Sequence, residues 1–102
     1  MILWNESLYV GNKIKRRKNR VIASMNSREA VFGVYCIAFA SNPNNLFDIY
    51  EANELLFPCY QRSEIRIAGL AGGKQEAVEL AHDMLMEVYR KTGEFDVRTY
   101  FT

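Results

Sequence analysis

The sequence has no apolar run long enough to cross a bilayer. The longest, from Val31 to Ala40 and broken only by Gly33, is about ten residues, against the roughly 20 that a transmembrane helix needs. It opens Met-Ile-Leu-Trp-Asn-Glu, without a basic segment ahead of a long apolar one, which predicts no secretory signal. It lacks an excess of either charge: 13 Lys and Arg against 12 Asp and Glu leave a net charge of +1, so whole-chain charge implies no acidic partner. Only two cysteines occur, Cys36 and Cys59, both in apolar surroundings, which reads as reduced thiols in a cytosolic protein. There is no internal repeat, low-complexity tract or Pro/Gly/Ser linker. What remains is a chain of 102 residues, expected to form one domain over 1–102 with enough core to need no metal or disulfide staple. Apolar residues at 49% and charged ones at 25% argue against disorder.

The charge is distributed unevenly. Residues 1–51 carry a basic excess and 52–102 an acidic one. From Lys13 the apolar residues Ile14, Val21, Ile22 and Met25 recur at helical spacing, and Lys13, Lys15, Arg16, Arg17, Lys18 and Arg20 fill the other positions. The pattern predicts an amphipathic basic helix ending near Asn26-Ser27. Residues 32–41 are β-branched and aromatic almost without polar interruption, which predicts a central strand buried on both faces. Ser41-Asn42-Pro43-Asn44-Asn45 is a turn cluster. A short helix is expected from about Leu46, capped by Asn45 and limited by Pro58. Glu64 to Ala68 alternates as a half-exposed strand, and Gly69, Gly72 and Gly73 open a turn. Residues 74–92 give the clearest helix, with Ala77, Val78, Ala81, Met84, Leu85, Val88 and Tyr89 on one face and Gly93 as its C-terminal cap. Phe95 to Phe101 alternates and predicts a last strand.

Strand–helix–strand units imply parallel pairing with right-handed crossovers. The expected architecture is therefore an α/β domain: a three-stranded, mostly parallel sheet in the order 2-1-3, packed by the N-terminal basic helix, the short middle helix and the long helix over about 74–92. An antiparallel α+β arrangement is the alternative.

The segments Ser7–Gly11 with the Lys/Arg-rich stretch after it, Ala40–Leu46, Ala52–Pro58, Ile67–Ala71 and Glu87–Gly93 together resemble a set of small conserved proteins of anaerobic gut bacteria over nearly the whole chain. The resemblance implies a bacterial cytosolic origin and assigns neither an activity nor a catalytic residue.

Four groups of residues invite a functional reading. Gly69, Gly72, Gly73 and Lys74 lie between a strand and a helix, where free backbone N–H groups attract anions. The spacing departs from a phosphate-binding P-loop, with three residues rather than four before the Gly-Lys pair and Gln75 in place of the hydroxyl residue. A turn that simply reverses the chain is the plainer reading. Lys13, Lys15, Arg16, Arg17, Lys18 and Arg20 are a basic patch suited to phosphates, although no aromatic residue stands among them in sequence, and a solvated face is the plainer reading here too. Ser41, Asn42, Asn44 and Asn45 would line a polar crevice at the switch point of a doubly wound sheet. Leu46, Phe47, Ile49, Tyr50, Leu55, Leu56, Phe57 and Tyr60 exceed what one short crossover needs and would form a protein interface.

His82, the only histidine, has Glu79 and Asp83 near it in sequence but no second cluster to complete a metal site. Cys36 lies in the most apolar strand and Cys59 has no activating neighbour. No catalytic set emerges, and no metal or cofactor is expected. The expected function is a non-catalytic binding module that self-associates or docks on a protein partner. A nucleic-acid accessory role for residues 13–20, and binding of a phosphorylated small molecule at 69–74, are the alternatives.

Overall fold

The computed structural model describes residues 1–42 and 45–102. Its elements are β1 (Ile2–Val10), a 3-10 helix (Asn12–Arg17), α1 (Lys18–Asn26), β2 (Tyr35–Phe39), β3 (Phe47–Glu51), a second 3-10 helix (Ala52–Leu56), α2 (Pro58–Gln61), β4 (Ile65–Ala71), α3 (Lys74–Thr92) and α4 (Val97–Phe101). Among the described residues the strands form one open sheet of four, in the order β1-β4-β2-β3. β1 pairs with β4 in parallel, and β2 pairs antiparallel with both β4 and β3. The α+β alternative is the one adopted.

The sheet separates two apolar layers. On one side the 3-10 helix and α1 bring Ile14, Val21 and Met25 onto Cys36, Ala38, Ile65, Ile67 and Leu70. On the other, α3 and α4 bring Ala77, Ala81, Met84, Val88 and Phe101 onto Ile37, Phe39, Ala68 and Ala71. β4 supplies both layers by the alternation of its side chains, and its pairing steps from Ile37↔Gly69 to Ala38↔Ile67. Ala68 is thus an extra residue, and the bulge turns Ile67 and Leu70 to the same face.

The structure corrects several expectations. Residues 2–10, ahead of the basic stretch, form a strand that docks beside β4. Its pairing skips from Trp4↔Ile67 to Tyr9↔Gly69, so the chain loops out between them. Asn5 is buried in that loop and donates to the carbonyls of Ser7 (3.3 Å) and Phe101 (3.1 Å). The basic stretch starts as a 3-10 helix and becomes α-helical only at Lys18.

The central strand spans 35–39 rather than 32–41. Gly33 takes a left-handed backbone (φ +68°), which a strand interior does not accommodate. The expected middle helix is instead β3, an edge strand, followed by a 3-10 turn. Glu51 begins that turn with a capping box, accepting from the Asn53 N–H (3.2 Å) while Glu54 accepts from the Glu51 N–H (3.3 Å).

The second expected strand does lie beside the central one, but antiparallel and longer, through Ala71. The last expected strand is α4. Asp96 caps it, accepting from the Thr99 N–H at 3.3 Å, and Val97 and Phe101, four apart, are its buried positions. The sheet is therefore neither three-stranded nor ordered 2-1-3. The helix over 74–92 matches its predicted bounds.

Candidate functional site

The glycine-rich turn is built around an anion that belongs to the chain. Glu76, in the first turn of α3, accepts from the Gly72 N–H through Oε1 (2.7 Å) and from the Lys13 N–H through Oε2 (3.1 Å). A carboxylate at a helix N-terminus is favoured by the dipole and by the unpaired N–H groups there. Gly72 is needed for the close approach, since a Cβ on it would stand 2.7 Å from Lys13 Cβ and 2.8 Å from Ile14 Cγ2. Gly69 is not part of the turn: it lies inside β4, opposite Tyr9 and Ile37. Gly72 and Gly73 are half-buried and Lys74 is exposed. The sequence thus placed the turn correctly between strand and helix but missed Glu76, whose position four residues after Gly72 was the available signal.

The basic stretch packs by Ile14, Val21 and Met25 and turns its charges outward. Lys13, Lys15, Arg16 and Arg20 are exposed, and Arg17 and Lys18 half-buried. Among the described residues none of the six lies within ion-pair distance of a carboxylate. Gly72 packs directly on Lys13, so the turn and the basic stretch, separate in sequence, form one surface with Lys74 at its margin.

An aromatic residue adjoins that surface. Phe32, taken from sequence as the start of the central strand, lies in the loop before β2 and is 90% exposed. The Arg17 guanidinium donates through Nη2 to its carbonyl oxygen (3.2 Å). Asn53 holds the same loop from the other side, accepting from the Val31 N–H (2.9 Å) and donating to the Val31 carbonyl (2.8 Å).

The polar residues 41–45 do not converge on one crevice among the described residues. Asn44 lies outside the described residues. Ser41, Asn42 and Asn45 are exposed, and the Asn45 N–H donates to the Asn42 carbonyl at 3.0 Å. Ser41 borders a cleft of about 280 Å³ together with Tyr50, Cys59, Tyr60, Arg66 and Arg98. Asn45 borders a separate one of about 190 Å³ with Leu46, Phe95 and Arg98. Arg98 is engaged within the chain: its Nη2 donates to the Ala40 carbonyl, and its guanidinium sits over the Phe39 ring, 5.9 Å from the centroid.

The apolar stretch divides. Leu55 is 1% exposed and belongs to the core, which removes it from any interface. Phe47 packs against Phe39 and Phe101, and Tyr50 meets Tyr60 edge to face at 5.4 Å. Leu56 is half-buried. Leu46 (39%), Ile49 (37%) and Phe57 (58%) stay exposed. Leu46 and Ile49 lie at and on β3, and the sequence did not foresee their extension: Phe95, which shares the 190 Å³ cleft with Leu46, stacks on exposed Tyr89 at 5.0 Å.

His82 and Asp83 are largely exposed, 3.9 Å apart. Among the described residues no three or more His, Cys, Asp and Glu side chains gather as a metal site would require. Burial pushes the Cys36 thiol up to about 12, with the Glu51 charge adding to the effect, so it stays protonated and inert. Burial, then the hydrogen bond to Glu87, raises Tyr9 to about 12, and burial, then the Asp48 charge, does the same to Tyr50. No helix among the described residues is long and apolar enough to cross a membrane. Comparison of the chain with protein-family models, with curated proteins and with solved structures finds no match.

Proposed function

We propose that this protein is a non-catalytic binding module that pairs with a second copy of itself along β3. The observation that carries this reading is the outer edge of β3, which no other described strand pairs and which exposed apolar side chains flank. An uncovered strand edge presents a row of unpaired N–H and C=O groups, and monomeric proteins blunt it with bulges, proline or free charges. The opposite edge, β1, is interrupted by its looped-out residues. β3 has neither a bulge nor a proline: its five pairs with β2 run without a shift. Its two charges are engaged within the chain, Asp48 accepting from the Tyr50 hydroxyl (3.3 Å) and Glu51 in the capping box. Leu46, Ile49 and the Tyr89–Phe95 stack supply the apolar area that strand pairing alone lacks.

A cytosolic location fits the two free thiols, one of them exposed. The same surface also suits a strand from a protein partner, and a second copy is the simplest source of one. Native mass measurement at micromolar concentration is expected to give twice the 11.8 kDa chain mass. Ile49→Lys, which places a charge on the edge without touching the core, is expected to return it to 11.8 kDa with an unchanged circular dichroism spectrum. A strict monomer for the unmodified chain would refute the proposal.

A further inference from the structure

We infer that the basic surface around Phe32 binds single-stranded nucleic acid, with Phe32 as the platform on which a base stacks. The surface lies apart from the β3 edge, and the inference does not rest on self-association. Three observations meet here. First, from Ser7 to Arg28 the chain contains no acidic residue, and Lys13, Lys15, Arg16 and Arg20 point into solvent without a carboxylate partner among the described residues. Side chains of this kind follow a phosphate backbone by releasing its condensed counterions. Second, the near-neutral net charge conceals a separation. The basic stretch packs on one face of the sheet and α3, with Glu79, Asp83 and Glu87, packs on the other; Glu76 reaches across to the Lys13 N–H, and Glu79 and Asp83 meet the basic stretch only at its Asn12 end.

Third, Phe32 is the most exposed of the large apolar residues, and its loop is fixed. The two Asn53 hydrogen bonds hold Val31, Arg17 holds the Phe32 carbonyl, and the Ala52 N–H donates to the Val34 carbonyl at 2.9 Å. A loop held on both sides keeps the ring in water rather than letting it fold back onto the core. An exposed ring on a loop that Arg17 ties to a run of unpaired cations suits a single strand, because every base offers a π-face regardless of sequence. A duplex keeps its bases stacked inside and leaves such a ring unused. A membrane is the less favoured partner: of the apolar residues of the basic stretch, Ile14, Val21 and Met25 are buried in the core and Ile22 packs against it, so no amphipathic face remains to insert.

The test uses the full chain and four fluorescent probes: an oligo(dT) and an oligo(U) strand of about 20 nucleotides, a hairpin duplex of equal length, and vesicles containing phosphatidylserine. Single strands are expected to bind more tightly than the duplex at roughly 50 mM salt, with affinity falling by about 0.7 log units per log unit of salt for each phosphate neutralised. Phe32→Ala, which removes a side chain from solvent and not from the core, is expected to weaken single-strand binding about ten-fold. Lys15→Glu with Arg16→Glu is expected to flatten the salt dependence, and Ile49→Lys to leave the affinity per chain unchanged. Binding of either sugar type supports the inference, and the tighter one names the partner. It is overturned if neither strand binds, if the duplex binds as well as the strands, if Phe32→Ala binds as the parent does, or if only the vesicles are bound.

Discussion

At the scale of single residues, Glu76 ties the start of α3 to the basic stretch packed on the opposite face of the sheet. Its carboxylate accepts one N–H from the turn before α3 and another from the start of the basic stretch, across 63 residues of chain in the second case. Gly72 stands against the Lys13 and Ile14 side chains, which brings both donors to the one carboxylate. A hydrogen bond to a charged acceptor contributes about 1.5–3 kcal/mol, and less at the exposed Lys13 N–H, where water can replace the partner. Glu76→Ala is therefore expected to lower stability by about 2 kcal/mol, read as a lower urea midpoint with an unchanged slope. The outcome that would contradict this role is a midpoint unmoved by the substitution. Glu76→Gln retains one acceptor oxygen and is expected to fall between the two. The same residue explains why the glycine-rich turn resembles an anion site in sequence: the turn does hold an anion, supplied from the helix it precedes.

At the scale of elements, the loop 31–34 depends on Asn53 as the turn depends on Glu76. Asn53 returns both a donor and an acceptor to the Val31 backbone, at 2.8 and 2.9 Å, and is itself oriented by the capping box of the 3-10 turn it belongs to. Asn53→Ala leaves both backbone groups to water. A loss of about 1–2 kcal/mol is expected, with the Val31 amide exchanging its hydrogen faster while the β2 amides keep their protection. Uniform loss of protection across β2 would show that the clamp supports the sheet rather than the loop.

The elements differ in how far the sequence discloses them. The helix over 74–92 is legible because its apolar residues keep one period for five turns and Gly93 closes it, donating to the Tyr89 carbonyl at 2.8 Å. β3 is not legible, because Phe47, Asp48, Ile49 and Tyr50 alternate too briefly to outweigh the capping signal of Asn45 and the stop at Pro58. α4 reads as a strand because five residues fit either period. Only the Asp96 cap and the spacing of Val97 and Phe101 decide it. β1 escapes because its buried side is interrupted by the loop around Asn5, and no alternation spans such a gap. Of the candidate sites, the basic patch was legible residue by residue, while its aromatic neighbour was not. Phe32 continues the apolar run of β2, and only the left-handed backbone at Gly33 detaches it.

At the scale of the whole molecule, the two apolar layers meet through the sheet, with Glu76 of α3 also reaching the Lys13 N–H, and whether they unfold together is a physical question. β2 and β4 contribute alternate side chains to both layers, so losing either layer exposes one face of the two central strands. The coupling is testable because the chain has one tryptophan. Trp4 packs in the layer of α1, with its indole N–H donating to Asn26 Oδ1 at 2.8 Å, and its fluorescence reports that side alone. Met84 is wholly buried in the other layer. Met84→Ala removes side-chain volume there and is expected to cost about 2–5 kcal/mol. If the sheet couples the layers, the Trp4 fluorescence transition and the far-ultraviolet circular dichroism transition shift together and remain superimposable, as a two-state unit requires. A Trp4 transition that stays in place while the helical signal of α3 melts early would mean that the layers fold independently. The uninterrupted pairing of β2 with β3 and its register with β4 argue for the coupled outcome, because neither central strand can lose one face and keep its neighbours.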